Sequence, residues 1–276
     1  MAIDLKIKEI AAINRVAVQP SEGLYTQSLR GFFEEIARLT IFAIRFFKEL
    51  IKRPYEGTEL LNQMYSIGYK SFPLVAITGF IMGLVLTIQS RPTLAEFGAE
   101  SWLPAMVAIS IIREIGPVIT ALIFAGKVGS GIGAELASMK ATEQIDAMEV
   151  SGINPFNYLV VTRIVSTTLM LPVLVILADL ISLYGAYVGV NLKNDVSFHL
   201  FFLEIFAKLS FHDVIPAVIK TCFFGFAIGL IGCYKGYTAT LGTQGVGVAS
   251  NSAVVMGSMT IFIIDMITVQ ITSLFL

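Results

Sequence analysis

The chain has 276 residues, 55% of them hydrophobic and 14% charged, with a net charge of −1 and a mean hydropathy of +0.79. Soluble domains carry about 25% charged residues, so this much apolar surface excludes a single soluble core and suits a bilayer. The near-neutral charge gives no ground for a nucleic-acid partner, and Cys222 and Cys233, which share one apolar stretch, supply neither a disulfide framework nor a metal motif.

Residues 1–24 mix charges with short apolar runs and lack a continuous apolar core before a small-residue cleavage site. They read as an N-terminal extension, not a cleaved signal. From Leu29 to Arg53 the charges fall at Arg30, Glu34, Arg38, Arg45, Glu49 and Lys52, opposite Phe32, Phe33, Ile36, Leu39, Phe42, Phe46, Phe47 and Leu50. A broad apolar face with one charged stripe predicts a helix over 25–54 lying in the membrane interface, stopped by Pro54. A membrane domain follows over 66–276. About 20 apolar residues cross the hydrocarbon as a helix, and five stretches qualify: 66–89, 103–125, 158–190, 214–234 and 253–276. Arg38, Arg45, Lys48, Lys52, Arg53 and Lys70 precede or open the first span, whereas the loop at 90–102 has only Arg91. The positive-inside rule therefore places the N-terminus and the 126–156 and 235–252 connections in the cytoplasm. It places 191–213 and the C-terminus outside. The predicted class is an all-α integral membrane protein.

Gly129-Ser-Gly-Ile-Gly-Ala134 matches a dinucleotide-binding string but follows an apolar helix where that motif needs a strand. Close packing of small residues explains it better. After Gly126-Lys127 stands Val128, so the chain has no P-loop of its own. Gly79/Gly83, Gly185/Gly189 and Gly225/Gly229 have the spacing that lets helices approach closely in lipid. Between the second and third spans, Thr142 is placed to cap a short helix with Ile145 and Met148 on one face and Gly152 and Pro155 at its end. Such a helix offers a surface to a soluble partner. Arg113-Glu114 interrupts the second span before Gly116-Pro117, and Asp179, Lys220 and Asp265 lie in later spans. Intramembrane charges face a cavity or a partner. His199 and His212 read as ordinary external residues. With no nucleophile–base pair in view, the chain reads as a transport subunit, not an enzyme. Its residues leave two drives open: a separate ATPase, or an ion or proton relay through Glu114, Asp179 and Asp265.

Arg113-Glu-Ile-Gly-Pro117, Gly126-Lys-Val-Gly, Ala134-Glu-Leu and Met139-Lys-Ala-Thr-Glu-Gln-Ile-Asp-Ala-Met-Glu149 resemble the MlaE permease family, the membrane subunit of Mce-type lipid ABC transporters. Gly236-Tyr-Thr-Ala, Gly245-Val-Gly-Val-Ala, Ala253-Val-Val and Asp265 match as well. The resemblance implies an interfacial elbow helix plus five transmembrane helices, with a coupling helix at Ala134–Ser151 contacting the ATPase through Glu135, Lys140, Glu143 and Asp146. It implies a homodimer in the inner membrane, two cytoplasmic P-loop ATPase copies that bind the ATP, and a periplasmic hexameric ring of Mce-domain protein. The cargo is phospholipid, moved between the membranes of a diderm bacterium to maintain outer-membrane lipid asymmetry. Its cavity maps to Leu86, Leu94, Phe97, Arg113 and Glu114, with Lys220 near the headgroup. Relatives can carry a hydroxylated aromatic where this chain has Phe97. The assignment is chemically coherent, because a lipid needs apolar walls and a few ionic groups, and the guanidinium fork suits phosphate.

Overall fold

The computed structural model describes residues 24–51, 56–192 and 196–275, which are helical and contain no strand. The expectations for residues 1–23, Pro54 and the terminal Leu276 lie outside the described residues. By internal contacts the chain divides into two units, Met1–Arg45 and Phe46–Leu276. The described part of the first is helix α1 (Leu24–Leu50) as far as Arg45, where Glu34 and Arg38 lie 3.9 Å apart one turn from each other. The charged stripe keeps α1 out of the set of helices apolar enough to span a membrane. That set numbers five among the described residues: Gly57–Glu96, Glu100–Ala141, Phe156–Asn191, Phe211–Tyr237 and Thr243–Leu274.

The first span is α2 (Gly57–Glu96), which begins earlier than the apolar run and carries Pro73 and Pro92 within it. It lies along α7 (Thr162–Asn191), and glycine makes that closeness possible. A Cβ on Gly79 would stand 2.9 Å from the Ala178 carbonyl; one on Gly83 would collide with the Ser182 carbonyl, and one on Gly185 with that of Phe80. Gly225 and Gly229 of α9 (Phe211–Tyr237) meet Thr167 of α7 in the same way. The glycine pairs thus serve packing within the chain.

The second span departs furthest from the sequence-based expectation. It does not stop near residue 125. A continuous helical path covers Glu100–Ala141, built from a short turn at Glu100–Trp102, α3 (Leu103–Ser110), α4 (Gly116–Phe124) and α5 (Ser130–Ala141), with π turns at Ile111–Ile115 and Ala125–Gly129. At 1.5 Å per residue this is about 63 Å, twice the ~30 Å hydrocarbon thickness, so the path extends well beyond the bilayer. The first π turn has a local cause. Pro117 has no N–H and its ring crowds the preceding turn; the helix widens, and the Gly116 N–H bonds to the Ile111 carbonyl instead. The glycine string continues as helix: a Cβ on Gly133 would stand 3.3 Å from Ala249 and Ala253 of α10 (Thr243–Phe275).

The connection after α5 is also reorganised. Thr142 does not cap the next helix. It closes the preceding one, its hydroxyl donating to Ser138 O at 2.9 Å. Glu143, in the left-handed region at φ 58°, makes the corner, and α6 (Gln144–Val150) follows. Residues expected as one coupling helix over Ala134–Ser151 therefore form the end of one helix, a corner and a second helix. Ile145 is buried as its periodicity predicts, and Gly152 at φ 79° ends the segment. At the opposite end of the spans the supposed loop contains α8 (Phe198–Lys208), with Ser197 as its cap. Phe201 and Ile205 of α8 pack with Leu103, Val107, Ile111 and Leu183.

Candidate functional site

Three charged residues of the spans, Arg113, Glu114 and Lys220, meet at one pocket, also bordered by His212, Asp213 and Thr268. The π turn presents Arg113 and Glu114 in succession, and they do not pair with each other. Arg113 Nε lies 3.2 Å from Asp213 Oδ1, with Arg113 41% exposed and Asp213 nearly buried. Asp213 is fixed by the start of α9: its Oδ2 accepts the Ser210 N–H at 3.0 Å in a capping box. Glu114 turns to Lys220, whose Nζ lies 2.7 Å from Glu114 Oε2 and 3.0 Å from Asp265 Oδ1. Lys220 is 2% exposed, so its ammonium is satisfied by two carboxylates from different spans.

Three of the six expected lipid contacts, Arg113, Glu114 and Lys220, thus meet at one site. Leu86 and Leu94 pack instead at the edge of the apolar cluster around Leu103 and Val107. Phe97 caps the end of α2 and is 79% exposed. His212, read from sequence as an ordinary external residue, borders the pocket, as does Asp213, which no sequence signal marked. Of the three acids considered for a relay, Glu114 and Asp265 share Lys220. Asp179 does not join them in hydrogen bonding: its Oδ1 is buried without a partner among the described residues, facing Gly116, where an added Cβ would strike it.

At the other end of the spans, two of the four expected ATPase contacts are engaged within the chain. Glu135 pairs with Arg163 at 2.8 Å, and Lys140 donates to the Tyr237 carbonyl at 3.1 Å. Arg163 is 2% exposed and also donates to the Leu159 carbonyl at 3.0 Å. Nothing in the sequence marked it, because it sits at the edge of an apolar run. Glu143 and Asp146 are exposed at the corner and on α6, beside Val150, which is 90% exposed.

The family profile described as Permease MlaE matches residues 60–271. A probable ABC transporter permease protein of Rickettsia prowazekii (strain Madrid E) is 38% identical over 232 residues, covering 84% of this chain and 90% of the relative. A probable ABC transporter permease protein of a Synechocystis species is 32% identical over 236 residues, covering 86% and 90%. The intermembrane phospholipid transport system permease protein MlaE of Haemophilus influenzae is 34% identical over 214 residues, covering 77% and 82%.

Proposed function

Because the chain belongs to the MlaE permease family, we propose that it is the subunit of an ABC transporter that carries phospholipid between the inner membrane and a periplasmic Mce-domain carrier. ATP hydrolysis takes place on a separate cytoplasmic subunit.

The observation that carries this reading is the Arg113–Asp213 pair at the border of a pocket lined by both charged and uncharged side chains. The pair engages Arg113 through Nε. A guanidinium has five N–H donors, so a lipid phosphate can bind beside Asp213 without displacing it. Lys220 acts differently. Held by Glu114 and Asp265, it fixes the rotation of the fourth and fifth spans around the pocket. Leu86, Leu94 and Phe97 lie outside the charged pocket and supply apolar wall for the acyl chains beyond it, with a second copy of the chain completing it. Glu143 and Asp146 receive the ATPase. Glu135 and Lys140 act one step behind them, holding α5 against the third and fourth spans.

Affinity purification in mild detergent tests the assignment. A P-loop ATPase, an Mce-domain protein and phospholipid are expected with the permease. A permease that moves solute on an ion gradient, with no ATPase bound, overturns it.

A further inference from the structure

Helix α8 has only 11 residues, and its buried side, Phe201 and Ile205, anchors it to the spans. Its other sides mix the exposed polar residues His199, Glu204 and Lys208 with large apolar ones. Phe198, Leu200, Leu203 and Phe206 are each more than half exposed, and Phe211, opening α9, is 83% exposed. Adjacent apolar side chains of this size are an interaction surface, not a solvated one.

What covers them follows from continuity with the spans. Rings run without interruption from Tyr184, on the exposed side of α7, through Tyr187 to Phe198 (6.3 and 5.2 Å between centroids), then to Phe202 and Phe206 (4.5 and 6.2 Å). The surface that faces lipid on the third span therefore carries on across α8. At its far end the Lys208 ammonium lies 3.4 Å from the centroid of the Trp102 ring, at the start of the second span. Tryptophan, tyrosine and lysine collect at headgroup depth, where an apolar body and a polar tip are both satisfied. A water-soluble protein partner would not require the ring ladder to continue along a span.

We propose that α8 lies in the headgroup–acyl boundary of the leaflet at the end of the spans opposite the 142–155 turn, with Phe198, Leu200, Leu203 and Phe206 inserted among the lipids. The chain passes from α8 through the Ser210–Asp213 capping box directly to Arg113. The border of the charged pocket is thereby held at headgroup depth, and a lipid reaches it sideways from that leaflet. This last step rests on the pocket being the lipid site; the placement of α8 does not.

The chain has one tryptophan, which makes a depth measurement clean. In the full chain carrying Trp102→Phe, Leu203→Trp is reconstituted into vesicles of phospholipid brominated either near the headgroup or near the bilayer centre. Ile176→Trp, exposed on the third span, is the deep reference. Leu203→Trp should lose more fluorescence to the shallow bromines, and Ile176→Trp more to the deep ones. No loss from Leu203→Trp with either lipid, or the deep pattern at both positions, overturns the placement. Failure of phospholipid transport as the function would appear separately and leave this result unchanged.

Discussion

Lys220 and Arg113 are both cations at one pocket, yet their surroundings give them different sensitivities. Lys220→Met strands Glu114 and Asp265 beside each other with no cation between them. Breaking a fully buried ion pair from one side costs about 3–5 kcal/mol. Water screens part of that here, since Glu114 is 46% and Asp265 19% exposed, but the thermal midpoint of the purified permease should still fall. Adding Glu114→Gln and Asp265→Asn should recover most of it; an unchanged midpoint in the single variant would contradict the triad. Arg113→Ala removes a half-exposed pair, whose contribution to stability is small. It should leave the midpoint nearly unchanged and reduce bound phospholipid. The sequence exposed Arg113, Glu114 and Lys220 because charge inside an apolar run is conspicuous. It could not expose Asp213 as the partner of Arg113. That pairing depends on how two helices are rotated about their axes, and Asp213 stands where a polar helix cap is ordinary. Arg163 stayed hidden for the same reason, since its partner Glu135 is far away in the chain.

Between elements, glycine decides how closely helices approach. Gly185→Val places a side chain on the Phe80 carbonyl, so the first and third spans cannot close and folded permease should be lost from detergent extracts. Gly131→Ala, where nothing lies within 4 Å, should be tolerated and gain about 0.5–1 kcal/mol of helix stability. Equal yields of the two variants would refute the packing argument. At the corner after α5, Glu143→Lys with Asp146→Lys changes two exposed side chains, and surface substitutions of this kind cost little stability. The double variant should insert normally while losing ATPase association or the coupling of hydrolysis to transfer; intact association with intact transfer would remove α6 from the interface. Five spans and the short helix at Ile145 were legible from apolar length and periodicity. The continuation of the second span to Ala141 was not: a glycine-rich stretch after an apolar run looks like a loop until partner helices lie against Gly129 and Gly133. Helix α8 was equally hidden, since a largely apolar helix of 11 residues is too short for a span and carries no other label.

For the whole molecule, Glu100 and Ser138 lie at opposite ends of one helical path, about 57 Å apart at 1.5 Å per residue. With Cys222 and Cys233 replaced, a cysteine at Ser138 should label only from the cytoplasmic side and one at Glu100 only from the periplasmic side. The reverse pattern would invert the topology that the basic residues before the first span imply. Lipid transfer itself tests the central claim most directly. Permease and ATPase reconstituted in vesicles, with ATP and an Mce-domain acceptor, should transfer labelled phospholipid. A hydrogen bond to a charged group is worth about 1.5–3 kcal/mol, so Arg113→Ala should lower the rate about tenfold or more while ATPase association persists. Arg113→Ala with Asp213→Ala should remain as slow, because the phosphate has lost its donor either way. Recovery of transfer in that double variant would make Arg113–Asp213 a structural pair and contradict its assignment as the headgroup site.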